Sequence, residues 1–168
     1  MTETMTRPFT ISRIVDAPRD RVWRAWTEVE QLQQWWGPIG FVVTYCKLDL
    51  RPGGRMHYRL RAPDGSDMWG RFAYREIVKP ERLVWINSFS DKDGGLATHP
   101  MSPTWPREMH TTVTFKELGG KTEVTVEWIP IEGSTELERA TFEAGRPSMT
   151  MGWSGTMEQF GAFLAKTK

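Results

Sequence analysis

Few residues of this 168-residue chain can move protons, attack a substrate or hold a metal, and their spacing limits what they can do. The histidines are His57, His99 and His110. They fall on separate segments with no HExxH pattern and no i, i+4 pairing, so no metal site is expected and no cofactor is implied. Cys46 is the only cysteine, which excludes an intrachain disulfide and a cysteine-based zinc site. A reducing, cytoplasmic setting fits. There is no G-x-S-x-G elbow. Gly53-Gly54, Gly94-Gly95 and Gly119-Gly120 lie in turn-like contexts, not in the strand, loop and helix setting that cradles phosphate. One acid/base pair remains. Glu76 continues the alternation of Phe72 and Tyr74, which would bring its carboxylate and the Tyr74 phenol to the rim of an apolar interior. The plainer reading of Glu76 is a solvated carboxylate at a strand end.

Binding chemistry has more material to work with. Nine Trp, eight Phe and nine Met are more large apolar groups than a core of this size needs. Either the core is heavily aromatic or a cavity is lined. Alternate strand residues face opposite sides, so Tyr58, Met68, Phe72, Tyr74, Trp85, Phe115 and Trp128 are expected on one inward face. Trp153, Met157 and Phe160 of a terminal helix would stand opposite. Asn87, the only asparagine in the chain, shares that face between Trp85 and Phe89. A buried amide needs a partner, and a few polar groups in an aromatic wall fix the orientation of a bound small molecule. These eleven residues are the candidate ligand contacts. Met109, Met149 and Met151 would add deformable lining. The competing reading is a packed interior built from the same side chains.

On the opposite parity, Arg55, Arg59 and Arg61 run beside His57, with Arg71 and Arg75 on the next strand. They would make the outer face locally positive, a feature suited to an acidic protein partner. The alternative is a solvated face balanced by Asp49, Glu123 and Glu127.

The whole-chain charge argues against polyanion binding. Lys plus Arg number 22 against 21 Asp plus Glu, so a net charge of +1 gives no drive toward nucleic acid or a headgroup surface. With 39% hydrophobic and 26% charged residues the chain lies outside the disordered range. No run approaches the roughly 18–20 apolar residues of a membrane helix, and the first ten residues lack the apolar stretch of a secretory signal. Monomer and homodimer are both open.

The elements that must position these groups follow from the pattern. Phe9 to Val15 reads as a strand ending at Pro18, which suits a first helical turn. Val22, Ala25 and Trp26 recur at helical spacing to about Thr27, where Thr27 and Glu30 form a T-x-x-E capping box for a second helix. That helix carries Leu32, Trp35 and Trp36 and stops at Gly37-Pro38. The period then changes from 3.6 to 2, and hairpin signals at 51–54, 62–65, 79–82 and 118–121 separate strands at about 41–50, 54–62, 67–78, 82–89, 109–117 and 121–128. With the first strand these make seven. Ser90 to Arg107, with three prolines and Trp105, is too irregular for a strand and reads as a stiff excursion bearing an exposed aromatic. Thr135 and Glu138 cap a helix beginning near Glu136. Ser148 to about Lys166 places Trp153, Met157, Phe160 and Leu164 on one stripe of the longest helix. A single domain over 9–166, with 1–8 as a tail, is expected.

This order of elements resembles the helix-grip fold of the START and birch-pollen-allergen superfamily, SRPBCC. Ala17-Pro18 with Val22 and Trp26, Trp35-Trp36-Gly37-Pro38, Asp49 to Gly54, and Gly152-Trp153 resemble the family named for the activator of heat-shock protein 90 ATPase homologue. The resemblance implies an α+β fold in which a curved seven-stranded antiparallel sheet grips the C-terminal helix. It implies a cavity that in many relatives holds a lipid, polyketide or other apolar molecule, most simply without catalysis. Some relatives act as polyketide cyclases, for which Glu76 and Tyr74 would be the candidates. Others contact a chaperone, a role connected with stress response, for which Arg55, Arg59 and Arg61 would be the surface.

Overall fold

The computed structural model describes residues 6–99 and 102–167. Pro100 and Met101 of the proline-rich connection, residues 1–5 of the expected tail, and Lys168 lie outside the described residues. The chain is α+β and runs β1 (Phe9–Val15), α1 (Arg19–Thr27), α2 (Val29–Leu32), β2 (Val42–Leu48), β3 (Arg55–Arg61), β4 (Asp67–Val78) and β5 (Arg82–Ser90). It continues with β6 (Leu96–Ala97), β7 (Met109–Leu118), β8 (Lys121–Pro130), α3 (Glu136–Ala144) and α4 (Arg146–Lys166). All pairings are antiparallel, in the order β1-β8-β7-β5-β4-β3-β2, and β6 adds onto β5. The seven long strands are those the alternation implies. β6 is an addition inside the connection read as irregular, where Leu96 and Ala97 pair with Ser90 and Phe89.

The turns form where glycine allows them. Gly53 and Gly65 take φ of +82° and +88°, the left-handed region that side-chain-bearing residues avoid. Two helix caps with the same sequence signature behave differently. At α3 the Thr135 hydroxyl accepts from the Glu138 amide at 3.0 Å, and the Glu138 carboxylate accepts from the Thr135 amide at 2.9 Å. At α2 the expected box does not form. Thr27 is buried as the last residue of α1 and its hydroxyl donates to the Trp23 carbonyl at 2.7 Å, so Glu28 caps α2 without a side-chain bond. The second helix accordingly ends at Leu32, and Trp35 and Trp36 follow it in a turn.

α4 begins at Arg146, two residues before the expected start, with Pro147 in its first turn, where a missing N–H costs nothing. A Cβ at Gly145 would stand 2.8 Å from Trp105 Cζ3, so the break between α3 and α4 lies where that ring packs against the backbone. Trp105 is half-buried against Phe142 and His99, not the exposed aromatic expected of this segment. Near the N-terminus, Arg146 donates to the carbonyls of Arg7 and Pro8, which ties residues of the expected tail to α4.

Buried side chains of the sheet, α1 and α4 make one apolar core. Its densest part surrounds Trp26, whose ring meets Trp35 at 4.7 Å and Phe115 and Phe160 at 5.8 Å between centroids. The Trp35 indole donates to the Ala25 carbonyl at 3.1 Å and its ring lies 4.6 Å from Phe160. No helix among the described residues is long and apolar enough to cross a membrane.

Candidate functional site

Beyond Trp36 the packing opens. A cavity of about 340 Å³ lies between the inward face of the sheet and α4. Its walls come from five strands, one helix and two connections. β3 and β4 bring Tyr58, Leu60, Met68 and Phe72, β5 brings Trp85, Asn87 and Phe89, and β7 and β8 bring Met109 and Trp128. α4 supplies Met149, Gly152, Trp153 and Thr156, and two connections supply Trp36-Gly37-Pro38 and His99, Trp105 and Pro106.

The aromatic part is a rigid frame. Phe72 and Trp85 sit on neighbouring strands and stack at 4.3 Å with 8° between planes. Trp36 meets Phe72 edge-on at 5.2 Å and Trp153 at 5.7 Å, and Trp153 meets Trp128 at 5.5 Å. Edge-to-face and stacked pairs each add about 0.5–1.5 kcal/mol beyond area burial, so the frame holds its shape. Tyr58 depends on the glycine opposite it. Tyr58 pairs with Gly70, and a Cβ at Gly70 would stand 2.4 Å from the Tyr58 ring, which therefore lies flat across the strand. Trp36 donates to the Tyr58 hydroxyl, yet burial still pushes that phenol up to about 12. Burial also lowers the pKa of His99. These are the acid/base side chains of the lining among the described residues.

The Trp36 turn is fastened to α4 by one side chain. Gln159 Nε2 donates to the Gly37 carbonyl at 2.5 Å, with the Trp35 and Pro38 carbonyls at 3.3 Å. α4 spends three glycines in this region, each costing about 1 kcal/mol relative to alanine inside a helix. Gly155 has a steric reason, since a Cβ there would approach Ile39 to 3.1 Å. Gly152 has none: nothing lies within 4 Å of where its Cβ would be, and it faces the cavity. Gly161 is equally unobstructed but away from the lining.

Seven of the eleven expected ligand contacts line this cavity: Tyr58, Met68, Phe72, Trp85, Asn87, Trp128 and Trp153. The other four do not. Tyr74, Phe115, Met157 and Phe160 are at most 2% exposed and lie in the packed core, Phe115 and Phe160 against Trp26 and Tyr74 against Phe72 and Trp85. Alternation gives the face of the sheet but not the position along it. Met151, expected as deformable lining, is 77% exposed on the far side of α4. The residues that sequence reading missed sit mostly in connections. Trp36 was legible only as part of a helix face and Gly37-Pro38 as its stop, Trp105 and Pro106 as part of an irregular loop, and Gly152 and Thr156 had as their signal the helical spacing around Trp153.

The acid/base pair does not assemble. Tyr74 pairs with Trp85 and Glu76 with Val84, so Arg75 is an extra residue in β4, a β-bulge. The bulge reverses the alternation beyond it. Ile77 then packs on the core, while Glu76 turns outward and pairs with Arg82, both side chains more than 40% exposed. Among the described residues no group of three or more His, Cys, Asp or Glu side chains converges.

Arg55, Arg59 and Arg61 lie on the outer side of β3. Arg59 donates to the Thr44 hydroxyl at 2.7 Å and stacks over Trp69 at 5.3 Å, and Arg61 pairs with Asp67 at 3.1 Å. The partners of this stripe are thus Thr44, Trp69 and Asp67, not the expected Asp49, Glu123 and Glu127. His57, Tyr45 and Trp69 form a ring cluster beside it.

The family model for the Activator of Hsp90 ATPase homolog 1-like protein matches residues 16–165. Solved structures agree over nearly the full length. Protein Ms6760 from Mycobacterium smegmatis is 28% identical with a TM-score of 0.77, covering 97% of this chain and 93% of that one. A protein from Arthrobacter aurescens is 25% identical with a TM-score of 0.75, covering 96% and 87%. The AHSA1 protein from Silicibacter pomeroyi, 16% identical with a TM-score of 0.69 over 96% and 99%, shares the fold. No curated protein matches the sequence.

Proposed function

We propose that this chain, which belongs to the Activator of Hsp90 ATPase homolog 1-like family, binds a small apolar molecule in the cavity between its sheet and α4. One observation carries the reading. The cavity, about 340 Å³ and walled by Trp36, Phe72, Trp85, Trp128 and Trp153, falls in the ~300–1,000 Å³ range of small-molecule pockets and has their composition, apolar with a few polar groups. Gly152 supports it, because a helix-destabilising residue without a steric reason keeps the wall recessed. Binding without chemistry is the simpler form of the reading, since the one acid/base pair the sequence offers, Glu76 and Tyr74, does not assemble at the cavity.

A ligand that binds only the folded state stabilises it by mass action, about 2.7 kcal/mol at a hundredfold excess over Kd. For a chain of this size that corresponds to a rise in Tm of roughly 5–10 °C. Thermal denaturation with a panel of two-ring aromatic compounds tests the proposal. A shift of this size with at least one member is expected. No shift across the panel would contradict it.

The outer face favours a second reading, contact with a protein partner such as a chaperone. Its support is Arg55, Arg59 and Arg61 beside Tyr45, which is 41% exposed. If this face docks an acidic partner, Arg55→Glu with Arg59→Glu abolishes co-precipitation with a chaperone middle domain. Unchanged capture would remove the stripe from consideration.

A further inference from the structure

Buried hydrogen-bond donors cluster beside the cavity. Trp85, Thr111 and Trp128 stand side by side on β5, β7 and β8 in one cross-strand row, with Asn87 and Met109 paired in the next. The two indoles therefore flank the short Thr111 side chain at one strand spacing, about 4.8 Å, on either side. The Nε1 atoms of Trp85 and Trp128 are both buried without a hydrogen-bond partner. The Thr111 hydroxyl, itself fully buried, donates to Asn87 Oδ1 at 2.5 Å, which takes one of that oxygen's two lone pairs and leaves the N–H2 group without a protein acceptor. Thr156 spends its hydroxyl proton on the Gly152 carbonyl at 3.0 Å. The Ser88 hydroxyl is also buried without a partner, and a hydroxyl serves either role. Trp26 shows what an unpaired indole looks like where no ligand can reach: its N–H lies in the filled core among the edge-on rings of Trp35, Trp36, Phe115 and Phe160. Trp85, Asn87 and Trp128 belong to the cavity lining, the two indole nitrogens lying beneath its surface.

Charge narrows the class further. Among the described residues the lining contains no Lys, Arg, Asp or Glu. An anion brought there would lose its hydration and meet no cation, the costliest kind of burial. A neutral acceptor meets no such barrier.

We propose that the cavity selects neutral apolar molecules that carry a carbonyl-type acceptor oxygen, bound by the Asn87 amide with the Trp85 and Trp128 indoles beside it. This rests on the reading of the cavity as a binding site. Three probes of similar shape separate the claims: 2-acetylnaphthalene, a neutral ketone; 2-isopropenylnaphthalene, which lacks the acceptor; and 2-naphthoate, an anion. Each is titrated calorimetrically into the full chain. The ketone is expected to bind about tenfold or more tightly than either of the others, the effect of one to two well-made hydrogen bonds. In ¹⁵N–¹H spectra the indole resonances of Trp85 and Trp128, assigned from Trp→Phe variants, are expected to shift downfield with the ketone and not with the hydrocarbon. Asn87→Leu should erase the ketone's advantage and leave the hydrocarbon's affinity unchanged. If that variant does not fold, the wild-type titrations and spectra decide alone. Equal affinity for ketone and hydrocarbon would overturn the acceptor assignment and leave the cavity reading standing. Tighter binding of naphthoate would overturn the neutrality. Binding of none of the three would overturn the cavity reading, and the acceptor assignment with it.

Discussion

The two ends of the layer between sheet and α4 are built from the same kinds of side chain and differ in whether the rings enclose space. At the filled end Trp23, Trp26, Trp35, Phe115 and Phe160 close on one another, and Met157, 1% exposed, belongs to the same core. At the open end Trp36, Phe72, Trp85, Trp128 and Trp153 form an equally aromatic frame around about 340 Å³ of space. Composition does not separate the two. What does is the backbone beside each: α1 lies over the filled end, whereas at the open end α4 presents Gly152 and the sheet presents Gly70, leaving space within the frame.

The strongest break of this comparison is a matched pair of truncations on α4. Met157→Ala at the filled end removes a fully packed side chain and should cost about 2–5 kcal/mol in urea denaturation. Met149→Ala at the open end removes one that already borders empty space and has fewer contacts to lose. It should cost at least ~1 kcal/mol less. Equal losses would mean that the two ends are packed alike.

Gly70→Ala sharpens the same contrast. The new methyl must displace the Tyr58 ring, and the free volume on its inner side is the cavity. Affinity for an aromatic probe should fall roughly tenfold, equivalent to about 1.4 kcal/mol, while the filled end keeps its near-ultraviolet dichroism. Unchanged affinity would show that Tyr58 does not shape the site.

Alkaline titration probes the cover of the open end. Cys46 and Tyr58 are paired neighbours on β2 and β3, and burial pushes the thiol up to about 11 and the phenol up to about 12 from ordinary values of 9.0 and 10.0. Between the ordinary and the raised values the folded chain holds protons that the unfolded chain has released. Unfolding then releases protons, so stability falls as pH rises through that window and is unaffected by these groups below it. Denaturation midpoints from pH 8 to 11 check this. A flat profile would mean that neither group is shielded. The smallest effect is expected at Glu76→Gln, an exposed ion pair with Arg82 worth under ~1 kcal/mol, with ligand affinity unchanged.

How far the sequence revealed this molecule depends on which physical signal each part leaves. The strands and α4 are legible because burial on one face imposes periods of 2 and 3.6 over many residues, and the Thr135–Glu138 cap because its bonds are local. The site is legible only by face. Tyr58, Phe72, Trp85, Asn87, Trp128 and Trp153 are inward, as are Tyr74, Phe115, Met157 and Phe160, and no periodicity tells an inward residue at a cavity from one in a filled core. Glu76 was misplaced by a single bulge residue, Arg75, which a count of alternate positions cannot see. The failed Thr27–Glu30 cap has a related cause: the burial of Thr27, a tertiary effect, commits its hydroxyl to Trp23 before the next helix can use it.

The claim that the space beside Gly152 is a binding site is tested most directly by filling it. Gly152→Phe places a ring where nothing lies within 4 Å of the new Cβ, on a helix that gains stability when a glycine is replaced. Calorimetric titration of 2-acetylnaphthalene into the wild type and this variant, side by side with Gly161→Ala as the control helix glycine, should show binding to wild type and control and none to a folded Gly152→Phe protein. Equal affinity in all three would place any bound molecule elsewhere and contradict the account.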